Sequence, residues 1–223
     1  MNEEFKKYRE MAKTGEIYQL KEYFDPEKES KISNYGGYEH HKWFSDQVDR
    51  FIKKFNPKRV LDIGCAKGFM VEDFRKRGVE AWGIDISTYA INHAPESIRK
   101  YLICGDAADF VAFKEFDLII AIETLEHIRR LDKALENVFY ALSNDGYFWV
   151  SVPFYAKGIK LTMEDVSHLH RHNMEWWINK IESHGFKFHP EIKAGVGEAI
   201  EMSDVVKKYG VNQANINELV FTK

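Results

Sequence analysis

Val60-Leu61-Asp62-Ile63-Gly64-Cys65-Ala66-Lys67-Gly68-Phe69 decides how this chain is read. A short apolar run ends on glycines at 64 and 68, and an amphipathic stretch, GFMVEDFRKRG, follows at once. That order predicts a strand, a tight turn and a helix. Glycine permits left-handed backbone in such a turn and lets a ligand approach the main chain closely. Downstream, EAWGIDI, STYAINHA, KYLICGD, FDLIIAIE, LDKALENVFYALS and GYFWVSVPF carry the pattern on, strand alternating with helix five times. Leu118-Ile119-Ile120-Ala121-Ile122 lacks polar alternation, as expected of a strand buried on both faces of a parallel sheet.

Outward from this core, residues 1 to 24 read as helix, because Phe5, Tyr8, Met11, Ala12, Ile17, Leu20 and Phe24 recur at helical spacing. A break falls at Thr14-Gly15, and Asp25-Pro26 stops the run. Residues 27 to 40 are polar and read as a loop with Tyr35 and Tyr38 around Gly36-Gly37. Phe44, Val48, Phe51, Ile52 and Phe55 then form the core stripe of a second helix ended by Asn56-Pro57. After Pro153 come a histidine-bearing loop to about 173, a helix over 174–184 closed by Gly185, a strand near 186–192 and a last strand near 215–222. The last two lack a clear crossover helix, which suits an antiparallel end to the sheet. The expected fold is α/β: a Rossmann-like doubly wound, mostly parallel, seven-stranded sheet with an antiparallel last strand and N-terminal helices.

Composition narrows the function classes. The 223 residues suit one domain with embellishments, and 44% hydrophobic with 30% charged residues describes an ordinary globular chain. Lys+Arg 32 against Asp+Glu 35 gives a net charge of −3, which disfavours extensive duplex nucleic-acid binding. Cys65 and Cys104 are too few for a disulfide framework, and the start, MNEEFKKYRE, is unlike a signal peptide, so a cytoplasmic location is expected. No run approaches the roughly 18 apolar residues of a membrane span.

A dinucleotide fingerprint starting at Gly64 needs glycines at 66 and 69, but Ala66 and Phe69 stand there. The better ligand is nucleoside-like and lacks phosphates. Asp85, 21 residues after Gly64, stands where a carboxylate can accept from both ribose hydroxyls, and Asp106 can accept from an exocyclic adenine amine. The competing reading makes Asp62, Asp85 and Asp106 strand-end turn formers only.

Over residues 58 to 153, DIGCAKG, GIDIS, GDA, FDLIIAIETLEHI and GYFWVSVP stand in the order in which their counterparts occur in class I S-adenosylmethionine-dependent methyltransferases, and the chain resembles that family. The resemblance implies S-adenosyl-L-methionine as cofactor. It places Asp62, Gly64, Cys65 and Gly68 around the methionine part, Asp85 and Ile86 at the ribose, Asp106 and Ala107 at the adenine, and Ile122 and Glu123 near the sulfonium. Ala66 replaces a frequent glycine at a position where the family varies. Residues 1–57 would then form an N-terminal helical lid, with Tyr35, Tyr38, His40, His41 and Trp43 near the cofactor, and 58–223 the core. Substrate-side elements would lie in 154–213, including a helix over Gly195 to Tyr209. Trp43 capping a core helix fits equally well.

Glu123, Glu126 and His127 are spaced i, i+3, i+4 where the fourth strand ends, so a helical segment would put them on one face. With His168 they make a mixed oxygen and nitrogen set for Mg²⁺, Mn²⁺ or Zn²⁺. His170 and His172 are further histidines of the same loop, which also reads as an exposed polar segment. The set is similar to the Glu-x-x-Glu-His plus distant His of small-RNA terminal 2′-O-methyltransferases and to a motif of ubiquinone-pathway O-methyltransferases. Three roles stay open for His127: metal ligand, metal-free base beside Glu126, or loop-ordering residue. Trp176 and Trp177 suit an aromatic acceptor wall, or core packing beside Ile178 and Ile181.

The reading is methyl transfer to an oxygen of a small-molecule or glycan acceptor. The alternatives are a metal-dependent RNA-end 2′-O-methyltransferase, a cofactor-binding partner subunit without catalysis, and a dehydrogenase. The sequence leaves the acceptor, the metal and the oligomeric state open.

Overall fold

The computed structural model describes residues 3–25, 38–112, 115–155, 165–192 and 216–223. Tyr35, Gly36, Gly37 and the expected helix at Gly195 to Tyr209 lie outside the described residues. In chain order the elements are α1 (Glu3–Thr14), a 3-10 turn (Glu16–Gln19), α2 (Lys21–Phe24), α3 (Lys42–Phe55), β1 (Arg59–Ile63) and α4 (Phe69–Lys76). There follow β2 (Glu80–Asp85), α5 (Thr88–Asn92), α6 (Glu96–Arg99), β3 (Leu102–Cys104), a 3-10 turn (Ala107–Asp109) and β4 (Phe116–Ile122). After a 3-10 turn at Leu125–His127 come α7 (Leu131–Ala141), β5 (Leu142–Pro153), α8 (Met174–Glu182), β6 (Lys187–Phe188) and β7 (Ile216–Thr222).

These strands form one seven-stranded sheet in the order β3-β2-β1-β4-β5-β7-β6. The first five pair in parallel, whereas β7 runs antiparallel to β5 and to β6. The expected mostly parallel sheet with an antiparallel end is therefore observed. Connections leave β1 and β4 toward opposite edges, which opens a crevice beyond their carboxyl ends.

Apolar side chains cover both sheet faces. Leu61, Ile119, Phe148 and Phe221 pack with α7 and α8 on one side, and Val60, Leu118, Ile120 and Trp149 pack with Val48, Phe51 and Phe74 on the other. Two clusters on opposite faces of one sheet are what its unbroken apolar strands require. Among the described residues of the expected 1–57 unit, α3 packs into the second cluster, whereas Ile17, Tyr18, Tyr23 and Phe24 pack around Ala66 and Ala90 in a third.

The expected break falls at Gly15 (φ +85°), and beyond it the chain runs as a 3-10 turn and the short α2. Two other boundaries differ from expectation. The helix expected through Ser143 stops at Ala141, and Leu142 already pairs with Phe116 as an irregular start to β5. The strand expected over 186–192 shortens to Lys187–Phe188, because Pro190 has no N–H to continue the ladder.

Candidate functional site

Strand β1 ends at Ile63, and the chain turns through Gly64 (φ +76°), Ala66 (φ +48°) and Gly68 (φ +73°) into α4. A Cβ on Gly64 would stand 2.3 Å from Thr124 Oγ1, so glycine is required both by backbone angle and by the approach of the segment after β4. Ala66 holds the left-handed angle with a side chain, at a cost of about 1–2 kcal/mol. The turn is fixed from β2: Asp85 Oδ2 accepts from the Ala66 N–H at 2.8 Å and Oδ1 from the Ser87 N–H at 2.8 Å.

An open cleft of about 830 Å³ lies against this turn. Of the residues expected at the cofactor, Gly64, Asp85, Ile86, Asp106, Ala107 and Glu123 line it, together with Thr124, His127, Ile128 and Arg129. Asp62, Cys65, Gly68 and Ile122 are not among its lining residues. The Cys65 side chain packs toward Gly83, where a Cβ would come within 2.6 Å of its sulfur, and Gly68 keeps space for Ile98 and Leu102. Asp106 Oδ1 accepts from the Ala108 N–H and Oδ2 from Arg130, so both carboxylate oxygens already have protein donors.

Burial pushes the Asp62 carboxyl up to about 8, with the charge of Asp85 acting in the same direction. Its folded value exceeds the unfolded value of about 3.9, so the native state binds the extra proton. This contribution to stability is complete below about pH 4 and is lost as pH rises through about 8. Asp62→Asn is therefore expected to flatten the fall in melting temperature of the cofactor-free protein between about pH 5 and 8. Parallel melting curves for the two proteins would contradict the assignment.

The opposite wall comes from before α3. Ala12, Gly15, Tyr18, Tyr23 and Phe24 line the cleft. Gln19 brackets the segment after Asp85, its amide donating to the Ile86 carbonyl at 2.8 Å and its carbonyl oxygen accepting from the Thr88 N–H at 3.0 Å. Asp25 accepts from the nearly buried Lys67 ammonium at 2.7 Å and from the Tyr89 hydroxyl at 2.9 Å. The sequence reading gave Gln19, Lys67 and Asp25 no part in the site: Lys67 stands in the glycine turn without an assigned partner, and Asp25 is read only as the end of the first helix.

At the end of β4, Glu123 has φ +47°, an uncommon backbone for a non-glycine residue. Its N–H donates to the Ser151 carbonyl at 2.9 Å, and its carboxylate accepts from the Ser151 hydroxyl at 2.6 Å. Burial lifts its carboxyl to about 7 against the effect of that hydroxyl. The expected helical face of Glu123, Glu126 and His127 does not form, because left-handed backbone at Glu123 cannot belong to a right-handed helix and the following turn is a single 3-10 turn.

Glu126, His127 and His168 nevertheless converge, with ligand atoms within 4.8 Å of one another. Glu126 Oε1 stands 3.8 Å from His127 Nε2 and 3.9 Å from His168 Nε2. The loop is stitched to the turn by the Leu169 and His170 N–H groups, both donating to the Glu126 carbonyl, and to α1 by Arg9, which donates to the carbonyls of Val166 and His168. Glu126 is wholly buried, and among the described residues neither carboxylate oxygen has a hydrogen-bond partner. Burial raises its carboxyl well above the ordinary range, the neighbouring Glu123 adding to the effect. Burial lowers His127, and takes His168 down to about 3 with His127 contributing. Two neutral imidazoles and an unpartnered carboxyl are a donor set suited to a divalent cation. His170 and His172 turn elsewhere: His170 Nε2 bonds the Ile128 carbonyl, and His172 stacks on Trp176 at 3.5 Å. Trp177 is core, as one of the two tryptophan readings has it.

Comparisons with known proteins agree with this architecture. A family model described as a methyltransferase domain matches residues 35–192. Arginine-hydroxylase NDUFAF5, mitochondrial, of Mus musculus is 34% identical over 93 residues, covering 40% of this chain and 27% of that protein. The ubiquinone biosynthesis O-methyltransferase of Chelativorans sp. (strain BNC1) is 31% identical over 108 residues, 46% of this chain and 43% of that enzyme. The chain thus spans less than half the length of either relative. Among solved structures, the O-methyltransferase from a trans-AT PKS multienzyme of Brevibacillus brevis, in complex with S-adenosyl-L-homocysteine, superposes with a TM-score of 0.61 at 18% identity, covering 81% of this chain and 71% of that one. With the sheet order, the glycine turn beside Asp85 and a family match over residues 35–192, the chain belongs to the class I S-adenosylmethionine-dependent methyltransferase-domain family.

Proposed function

We propose that the protein methylates an oxygen of a small-molecule or glycan acceptor, and that Glu126, His127 and His168 hold a divalent cation, Mg²⁺, Mn²⁺ or Zn²⁺, at the acceptor. The carrying observation is the buried, unpartnered Glu126 carboxylate facing two imidazole Nε2 atoms. A cation so held would lower the pKa of the acceptor hydroxyl and orient it. Glu123, the fourth residue in the expected ligand set, stands outside this cluster, on the cleft wall beside Ser151. Kinship with a ubiquinone biosynthesis O-methyltransferase supports an oxygen acceptor.

In this reading the Gly64 turn and Asp85 seat the nucleoside of S-adenosylmethionine, with Ile86 and Ala107 alongside. Asp106 shapes the adenine end through Arg130. The activated methyl arrives with the cofactor, and the protein's work is in-line alignment and removal of the acceptor's proton. His127 lines the cleft with its Nε2 toward Glu126, and burial keeps it neutral, so that this nitrogen can ligate the cation that acidifies the acceptor hydroxyl. The segment before Asp25 acts as the lid, held by Asp25–Lys67, Gln19 and Arg9.

The deciding experiment assays a panel of catechols, sugars and RNA 3′ ends with metal-free protein, excess chelator and added manganese. Turnover at least about tenfold higher with manganese is expected, on a catechol or sugar hydroxyl. Full activity in chelator would overturn the cation assignment, and turnover confined to RNA ends would overturn the acceptor class.

A further inference from the structure

The loop that brings His168 to the site also carries Asp165 and Ser167. Ser167 is fully buried, and its N–H donates to Asp165 Oδ1 at 2.8 Å. The Ser167 hydroxyl donates to the same oxygen. On its other side Ser167 meets His127: Nδ1 lies 3.2 Å from the Ser167 carbonyl and 3.1 Å from its Oγ.

We infer that Asp165 is a positioning residue, which through Ser167 holds His127 as its Nδ1–H tautomer and leaves a bare Nε2 lone pair facing Glu126. A carbonyl oxygen only accepts, so the contact at 3.2 Å requires hydrogen on Nδ1. The hydroxyl could have reversed this by donating to Nδ1. Its proton is instead drawn to the carboxylate, a charged and therefore stronger acceptor, and Oγ is left to accept from the ring. A neutral imidazole has one N–H, so Nε2 is fixed as the acceptor. His168 has no such device: its Nδ1 meets the Tyr155 hydroxyl at 2.5 Å, a group able to donate or accept. The second Asp165 oxygen stands 3.7 Å from His168 Nε2, so the carboxylate braces one histidine while facing the other.

The role of that lone pair, as cation ligand or base, rests on the function proposed above, whereas the tautomer itself does not. The experiment therefore reads both. Long-range proton–nitrogen spectra of labelled protein with S-adenosylhomocysteine, at mildly alkaline pH, report the tautomer of His127. Titration with manganese alone reports the site, and S-adenosylhomocysteine affinity reports the fold. The wild type is expected to show Nδ1–H. Asp165→Ala should mix the tautomers and weaken manganese binding about tenfold or more, with cofactor affinity unchanged. Asp165→Asn should restore both readouts, because its amide oxygen can still accept from the Ser167 N–H and hydroxyl.

An Nε2–H tautomer in the wild type overturns the inference without any variant. So does Asp165→Ala that keeps both tautomer and manganese affinity. Loss of manganese in Asp165→Asn equal to that in Asp165→Ala would make Asp165 a ligand and overturn it too. If wild-type protein binds no manganese, the cation reading fails, and the tautomer in wild type and Asp165→Ala alone upholds or overturns the positioning role.

Discussion

Glu126→Gln is expected to lower kcat about 100-fold or more, to abolish manganese binding, and to leave S-adenosylhomocysteine affinity within about twofold. A wholly buried carboxyl with two unpartnered oxygens destabilises the fold by about 1–3 kcal/mol relative to an apolar group of the same shape. Such a residue is kept where it works. Glu126→Met, close in volume, should therefore raise the melting temperature of the metal-free protein by several degrees, at about 2–4 °C per kcal/mol for a chain of this length, while destroying activity. The opposite signs for stability and turnover separate a working carboxyl from a structural one. A Glu126→Met protein that is less stable and still active would contradict both the cation site and the role given to Glu126.

How far this site can be read before folding depends on whether its parts are near in sequence. The glycine turn and Asp85 are legible because a strand buried on both faces leaves no polar alternation, and ligand-binding groups then stand at its end. Glu126, His127 and His168 were grouped by residue type, and they do converge, but the helical face that seemed to join them is replaced by a 3-10 turn and a loop. The chain closes that gap with main-chain bonds from Leu169 and His170 to Glu126, which no spacing rule anticipates. Arg9 reaches the same loop across more than 150 residues, and Tyr18 comes to lie edge-on to His127 at 5.8 Å. Contacts of this kind depend on tertiary packing, so single residues give no signal. Asp165-x-Ser167, which the sequence reading passed over, carries a local signal of its own, since an Asp carboxylate accepting from the N–H two residues on is a common turn.

Asp85→Ala should weaken S-adenosylhomocysteine binding by about 1.5–3 kcal/mol, a factor of roughly ten to a hundred or more in Kd. Two effects are joined in that number. Asp85 lines the cleft where the ribose is expected, and it also accepts from the Ala66 and Ser87 N–H groups that shape the turns on either side. Ala66 is held at φ +48°, so releasing its N–H gives the turn freedom to relax away from its binding geometry. A cycle separates the two: wild type and Asp85→Ala are each titrated with S-adenosylhomocysteine and with an analogue lacking both ribose hydroxyls. If the carboxylate binds the ribose, the analogue already lacks that interaction, and the substitution costs it only the smaller penalty of the loosened turn. An equal loss for both compounds would assign the whole effect to the turn and remove Asp85 from the ribose. A coupling of about 1 kcal/mol or more between residue and hydroxyls would place the nucleoside at the end of β2. The sulfonium would then face the wall formed by Glu123 and His127, where the acceptor's proton has to leave.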